Sequence, residues 1–328
     1  MSVFVKQTAT LCAFTSSDSW VILSPIEQSI KRKIEAVGTP LRDWNIQINY
    51  GIKTGCNEAF IIDEAKRSEI LANCRDAAER KRTEQIIRPI LRGRDVKRYA
   101  YNWAGLYLLW IPWHFPLYED ESIIGASEKA ELEFRKQFPA VYKHLSCYKD
   151  ILSKRNQSET GIRYEWYALQ RWGANYWDDF AKPKIVWAET MRIHREDVSN
   201  FPRFALAIDQ IYTDKTCFIG TGESDELKLV LGVLNSKVGR YQLGSLVSKM
   251  DDGGWLMQKI FIEKILIPKV SPKHQQRIIS LVDKMLNSCM KNDAEHDLDS
   301  CIYAIYGLSD NEIGHIEKIT SASLTRRG

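Results

Sequence analysis

The sequence predicts an α+β fold, with a mixed α/β lobe ahead of a C-terminal helical segment. Three observations carry this. Short apolar runs of strand type (Leu106-Tyr-Leu-Leu-Trp-Ile111, Lys184-Ile-Val-Trp187, Ala205-Leu-Ala-Ile208, Cys217-Phe-Ile219) alternate with stretches of helical period. From Ser271 the texture is helical almost to the end, with Ile278, Leu281, Val282, Met285, Leu286 and Cys289 on one stripe. The chain has 328 residues, 44% hydrophobic and 27% charged, an ordinary globular composition for about two domains.

The elements follow in order. A helix is expected over residues 25–37. Ser24 is an N-cap, Pro25 fits the first helical position, Glu27 completes a capping box, and Gly38 and Pro40 stop it. Trp44-Asn-Ile-Gln-Ile-Asn-Tyr50 alternates as a strand, Gly51-Ile-Lys-Thr-Gly55 is a turn, and Ala59-Phe-Ile-Ile62 reads as a second short strand. Residues 64–87 read as a charged helix, and Pro89-Ile-Leu91 leads into the turn Arg92-Gly-Arg-Asp95. Residues 127–153 read as two helical pieces broken near Pro139. After the strands at 184–187, 205–208 and 217–219, a helix capped by Ser224 follows, and Ile260 to Pro268 closes the mixed region. Gly307 marks the last turn, and the tail Thr325-Arg-Arg-Gly328 is expected to fray.

Several classes of chemistry are excluded. Seven scattered cysteines (Cys12, Cys56, Cys74, Cys147, Cys217, Cys289, Cys301) include no C-x-x-C pair, which argues against a disulfide framework and a tetrahedral zinc site. Free thiols, no bilayer-length apolar run and no signal pattern at the N-terminus lead to the expectation of a soluble, cytoplasmic protein. There is no P-loop, no Gly-x-Ser-x-Gly elbow and no Pro-Pro dipeptide. Gly220-Thr-Gly222 sits between a strand and a helix but lacks the third glycine and the acidic partner of a nucleotide-binding turn. Asp43 with Glu64-Ala-Lys66 has the residue types of a Mg²⁺-dependent nuclease, although a solvated helix start explains the same pattern. No catalytic, cofactor-binding or metal-binding residues are therefore assigned.

Basic and aromatic residues carry the remaining signal. The formal net charge is only +4, yet Arg80 to Arg98 holds eight basic residues against Glu84 and Asp95, a local net charge of +6. Arginines on the rigid Arg92–Asp95 turn can fork onto phosphates or guanine edges. Ion pairing of Arg92 or Arg94 with Asp95 is the competing reading. A second cluster, Lys154-Arg155 with Arg163-Tyr-Glu-Trp-Tyr-Ala-Leu-Gln-Arg-Trp172, fits either a nucleic-acid groove or an aromatic core with snorkelling arginines. The excess of Trp and Tyr, 10 and 14 against 11 Phe, concentrates in residues 162–180. Ser248-Lys-Met-Asp-Asp-Gly-Gly-Trp255 reads as an exposed, flexible loop that could probe a groove.

These motifs resemble a known family. Gly51-Ile-Lys-Thr-Gly-Cys-Asn-Glu-Ala-Phe-Ile-Ile-Asp63 and Arg88-Pro-Ile-Leu-Arg-Gly-Arg-Asp-Val-Lys-Arg-Tyr99 look like the target-recognition domain of type IIG restriction–modification enzymes. The same domain is similar to the C-terminal half of TaqI-like adenine-specific DNA methyltransferases. Phe138-Pro-Ala-Val-Tyr-Lys-His-Leu145, Trp166-Tyr-Ala-Leu-Gln-Arg171, Lys182-Pro-Lys-Ile-Val186, Leu234-Asn-Ser-Lys237, Ile267-Pro-Lys-Val-Ser-Pro272 with Gln275-Gln276, and Tyr303-Ala-Ile-Tyr-Gly-Leu308 follow in the family's order. The Ile267-Pro junction also resembles type I specificity subunits.

The resemblance implies a connecting segment with one helix (1–48), a mixed α/β target-recognition lobe (49–270) and a helical spacer (271–328). It implies sequence readout of double-stranded DNA for a methyltransferase and nuclease on another domain or chain. S-adenosylmethionine and Mg²⁺ belong to that full enzyme and not to this chain. The family's methyltransferase and nuclease domains have no counterpart in these residues. Contact with DNA is expected from Lys53, Thr54, Asn57, Arg92, Arg94, Lys97, Arg98, Lys154, Arg155, Arg163, Arg171 and Lys249, with Trp255 inserting. Thr54 and Asn57 could instead only brace the Gly51–Gly55 turn. Two other functions remain open: the Mg²⁺ nuclease of Asp43, Glu64 and Lys66, and a protein scaffold that docks a methyltransferase without touching DNA.

Overall fold

The computed structural model describes residues 23–159, 163–193, 198–251, 253–287 and 291–322. Cys12, Cys289 and the 325–328 tail lie outside them. The fold is mixed α+β, built on a four-stranded antiparallel sheet with a separate apolar core on each face. Its strands are β2 (Gln47–Tyr50), β6 (Lys184–Ala188), β8 (Phe204–Ala207) and β10 (Cys217–Thr221), in the order β2-β10-β6-β8. Ile219 pairs with Val186, and Val186 with Ala205. Alternate residues point to opposite sides of a strand. Ile185, Trp187, Phe204, Leu206 and Phe218 enter one core; Val186, Ala205, Ala207, Cys217 and Ile219 enter the other. Burial on both faces is why these strands read as continuous apolar runs.

The first core joins the start of the described chain to its end. Helix α1 (Pro25–Val37) contributes Ile30 and Ile34. Its capping box forms as expected, with the Ser24 N–H donating to Glu27 Oε2 at 2.8 Å. Gly38 then opens β1 (Gly38–Pro40), which pairs with β12 (Leu266–Pro268). Helices α8 (Ser224–Asn235) and α9 (Lys237–Leu246) lie against α11 (Pro272–Asn287), α12 (Lys291–Ile305) and α13 (Asp310–Ala322), and the short α10 (Lys259–Ile262) packs on α9. Val230, Leu234, Ile278, Val282, Leu298, Ile302 and Ile316 close the bundle.

The second core is covered by the sheet β3 (Ile61–Asp63), β5 (Leu106–Leu109), β4 (Ile87–Leu91) and β9 (Tyr212–Thr213), in that order, with β4 and β9 parallel. Helices α2 (Asn57–Phe60), α3 (Glu64–Ala72), α4 (Ala77–Ile86), α5 (Glu128–Gln137), α6 (Pro139–Ser146) and α7 (Lys149–Glu159) complete this side.

Several local expectations are corrected. Residues 59–62 divide between the end of α2 and β3. The helix expected over 64–87 is two helices, because Asp63 and Asp76 each cap a start, accepting from the N–H of Lys66 (2.8 Å) and Glu79 (2.7 Å). Ser224 is the first helical residue of α8 rather than its cap, which is Glu223 with no side-chain bond. Ser236 both ends α8 and caps α9 through the N–H of Gly239 at 3.0 Å. The helical region after residue 127 has a third piece, α7.

Candidate nucleic-acid interface

Three loops converge at one end of the central sheet. Loop 51–57 leaves β2, the Gly93–Asp95 turn leaves β4, and the 214–216 turn joins β9 to β10. The N–H of Gly51 donates to the Cys217 carbonyl at 3.0 Å and that of Ile52 to Thr213 at 2.8 Å. A Cβ built on Gly51 would overlap the Asp214 carbonyl oxygen, so this approach requires glycine. Gly55 has φ +79°, and a Cβ there would lie 2.8 Å from Arg155 Cδ. The two glycines of the Gly51–Gly55 motif thus have separate causes.

Between loop 51–57 and the 214–216 turn lies an open cleft of about 430 Å³. Lys53, Thr54, Asn57, Arg155, Gln170 and Lys215 line it. Its walls are mostly polar. Lys53 and Arg171 exchange backbone hydrogen bonds at 3.0 and 2.9 Å, which places the exposed Arg171 directly opposite the half-buried Lys53. The buried Thr54 hydroxyl donates to Asn57 Oδ1 at 2.6 Å, so Thr54 braces the turn and fixes the exposed Asn57 amide.

The arginine turn splits its residues by role. Arg92 is fastened to Asp95, whose buried carboxylate accepts from the Arg92 N–H, Nε and Nη2 at 2.9 to 3.0 Å. These bonds raise the Arg92 pKa above its ordinary value. Arg94 is exposed and has no side-chain partner among the described residues. Lys97 Nζ donates to the Arg94 carbonyl at 3.1 Å. Arg98 turns inward: its Nε donates to Glu295 of α12 at 3.1 Å and its Nη1 to the Asn235 carbonyl at 2.5 Å. Arg98 therefore ties the loop region to the helical bundle. Elsewhere in the +6 stretch, Arg80 pairs with Glu84, and Arg82 bonds the Gln137 carbonyl.

Adjacent residues in the second cluster face opposite ways. Lys154 is exposed. Arg155 donates to the carbonyls of Thr54, Trp166, Ala168 and Leu152, and its guanidinium lies 5.2 Å from the Phe60 ring centre. Burial lowers its pKa to about 10, leaving it charged at neutral pH. Arg163 and Arg171 are exposed, but the aromatic residues between them form core. Tyr164 stacks on Trp113 at 4.7 Å, Trp177 on Trp110 at 4.7 Å, and Trp166 Nε1 donates to Glu131 at 2.8 Å. The rings of 162–180 pack inward because the second core is bordered by loops as well as by sheet.

Trp255 corrects the expectation of an exposed probe. It lies in β11 (Gly254–Leu256), paired with β7 (Thr190–Arg192), is 7% exposed, and contacts Phe201 at 4.9 Å. Lys249 is exposed and covers that ring, with Nζ 4.6 Å from its centre. Neither lines the cleft.

Two residues near these loops escaped sequence reasoning. Lys215 is a single lysine in a short turn, without a charge cluster to mark it; the Asp214-x-Thr216 turn pattern was the available signal. Tyr50 ends β2 at 55% exposure, with its ring 4.9 Å from Phe218. Polar alternation hid it.

The nuclease residues do not assemble. Glu64 pairs with Arg67 and accepts from Tyr107 at 2.7 Å, Lys66 pairs with Glu69, and Asp43 sits in a turn bonded to residues 263 and 265. Among the described residues, no three His, Cys, Asp or Glu side chains are placed to hold a metal ion. Gly222 faces Ile46, whose Cδ1 lies 2.7 Å from where a Cβ would stand, so the Gly220–Gly222 turn is packed by the chain itself and leaves no cradle for a nucleotide. No helix among the described residues is long and apolar enough to cross a membrane.

The family model of the TaqI-like C-terminal specificity domain matches residues 88–265, more than half of the chain. The type II methyltransferase M.MjaIV of Methanocaldococcus jannaschii is 21% identical over 241 residues, covering 73% of this chain and 70% of that protein. The type II methyltransferase M.PaeR7I of Pseudomonas aeruginosa is 18% identical over 299 residues, covering 90% of this chain and 44% of that protein. The type IIG restriction endonuclease BpuSI superposes over 90% of this chain and 32% of its own, with TM-score 0.53 and 15% identity. The type IIL restriction–modification enzyme MmeI, solved with DNA, superposes over 86% and 36%, with TM-score 0.53 and 14% identity. The chain thus spans about a third of each of these solved enzymes, with which it shares a fold. These findings favour neither a metal nuclease nor a scaffold; the chain belongs to the TaqI-like C-terminal specificity domains and is a DNA-recognition module of a restriction–modification system.

Proposed function

We propose that the converging loops 51–57, 92–97 and 214–216 form the edge that contacts duplex DNA. The observation that carries this reading is the pairing of Lys53 and Arg171 beside a polar cleft, with Arg94 exposed on the neighbouring turn and the loops pinned to one another by backbone hydrogen bonds. The cations neutralise phosphates and set register, and Asn57, steadied by Thr54, offers its amide to a base edge. Lys97, Lys154, Arg163 and Lys249 extend the basic surface. Arg92, Arg98, Arg155 and Trp255 support it from inside, because each is held by the chain's own groups.

In this reading residues 49–270 recognise DNA, residues 271–328 act as a helical spacer, and residues 1–48 lead toward a methyltransferase. That partner, on another domain or chain, flips an adenine and methylates its exocyclic amine, and a nuclease accompanies it. The type II methyltransferase relatives and the restriction enzymes that share the fold support this assignment. S-adenosylmethionine supplies the methyl group and Mg²⁺ serves the nuclease, both within those partners. This chain contributes binding and orientation, without a catalytic residue.

The test is duplex selection from a random pool, followed by titration of the selected site at several salt concentrations. An enriched sequence whose log K falls linearly with log salt is expected. Binding of methyltransferase without DNA, indifferent to salt, would favour the scaffold. Cleavage of supercoiled DNA with Mg²⁺ that Glu64→Ala abolishes would favour the nuclease.

A further inference from the structure

Resting on the reading of this edge as the DNA contact, we infer that Lys215 is an additional phosphate-contacting residue and that Thr216 positions it, so that the lysine turn and the arginine turn meet the duplex as one unit. The argument begins with the turn itself. Asp214 and Cys217 are buried on either side, which leaves the side chain of residue 215 pointing out of the fold. The Asp214 N–H donates to the Leu91 carbonyl at 3.0 Å, at the end of the strand that runs into the arginine turn. Asp214 Oδ1 accepts from the Thr216 N–H at 3.0 Å and from its hydroxyl. The same hydroxyl oxygen accepts from the Gly93 N–H at 2.8 Å, the residue next to Arg94. One hydroxyl therefore bonds both turns at once, and it fixes the backbone that carries Lys215 relative to the backbone that carries Arg94.

Charge identifies what this unit holds. Lys215 and Arg94 have no carboxylate partner among the described residues. Of the nearby acidic groups, Asp95 is bonded to Arg92, Asp214 accepts from Thr216, and Glu58, which lines the same cleft, accepts from the Cys56 thiol at 3.5 Å. Lys53 lines the same cleft as Lys215. Like charges held on rigid loops repel one another, and a polyanion that touches several of them relieves that repulsion while releasing its own condensed counterions. A duplex backbone, with phosphates at regular spacing, has this chemistry.

The test is a salt titration of duplex binding by the whole chain, with thermal unfolding measured alongside. Lys215→Ala is expected to reduce the slope of log K against log salt by about one unit and to weaken binding roughly three- to tenfold. Lys215→Arg is expected to keep the slope. Thr216→Val, which removes the shared hydroxyl at nearly constant volume, is expected to lower the slope by more than Lys215→Ala alone, and Thr216→Ser to restore it. A wild-type protein with a normal slope that Lys215→Ala leaves unchanged would overturn the inference while leaving the DNA-contact reading intact. A wild-type protein without salt-dependent binding would overturn both. Should Thr216→Val unfold, Lys215→Ala and Arg94→Ala in a double-mutant cycle decide: coupling beyond additivity supports a joined unit, and simple additivity overturns it.

Discussion

The guanidinium of Arg92 lies bidentate on the carboxylate of Asp95, with Nε–Oδ2 and Nη2–Oδ1 each at 3.0 Å. Two arginines flank Gly93, and this fork separates them. The planar fork suits a carboxylate as well as it suits a phosphate, and here the carboxylate sits three residues away in the same turn. Arg94, one residue past the glycine, is the arginine left for solvent.

Arg94→Ala is therefore expected to weaken duplex binding and lower its salt slope by about one unit, with unfolding temperature unchanged. Arg92→Ala is expected to do the reverse at first order. It leaves the buried Asp95 carboxylate without its partner, a loss of about 1–3 kcal/mol in stability. Salt titrations and urea unfolding of both variants separate the roles, and equal slope losses would contradict the division.

Gly51→Ala tests the junction of the loops. The added methyl would strike the Asp214 carbonyl, a backbone atom that cannot rotate away. A loss of about 1–3 kcal/mol is expected from overpacking, together with weaker DNA binding because the 214–216 turn moves. A variant as stable as wild type, measured by urea unfolding, would show that the loops do not need this approach.

Arg98→Met should destabilise the fold by about 3 kcal/mol without changing the salt slope. Its guanidinium bonds Glu295 and the end of α8 from a largely buried position, so removing it leaves a carboxylate and a carbonyl unpaired. A double-mutant cycle with Glu295→Gln is expected to return a coupling between about 0.5 and 3 kcal/mol. A reduced salt slope in Arg98→Met would instead place Arg98 on DNA.

Lys184 gives a pH dependence. Its ammonium is buried at the start of β6 and donates to the carbonyls of Phe180, Lys182 and Asp209 at 2.9 to 3.2 Å. Burial lowers its pKa from 10.5 to about 8. Between those values the unfolded chain binds more protons than the folded one, so stability rises with pH across this window. Below pH 8 both states are protonated and the penalty is constant. Urea unfolding at pH 7, 8.5 and 10 should show a more positive slope for wild type than for Lys184→Met. Identical slopes would mean that the ammonium stays solvated.

The fold class was legible from periodicity, because both the helical stripes and the two-sided strands leave a pattern in the order of residues. The cap at Ser24 was legible for the same reason: all its partners lie within three positions. The helix break at 73–76 was harder to read, since Asp76 is one acidic residue in an already charged stretch. Lys215 left only the Asp214-x-Thr216 turn pattern, with no charge cluster beside it.

An α+β chain with a basic stretch around Gly93 and a Gly51–Gly55 turn can be read from the order of residues, because composition, spacing and short-range bonds lie in consecutive residues. Which cations face outward depends on long-range packing. Arg94 and Arg98 are four residues apart in one basic run, yet Arg98 reaches Glu295, 197 positions away, and Arg94 reaches no partner among the described residues. Lys154 and Arg155 are neighbours, yet Arg155 meets carbonyls brought to it by Thr54 and Ala168. A cation's availability depends on whether folding delivers an acceptor close enough to replace water, and that acceptor can come from anywhere in the chain.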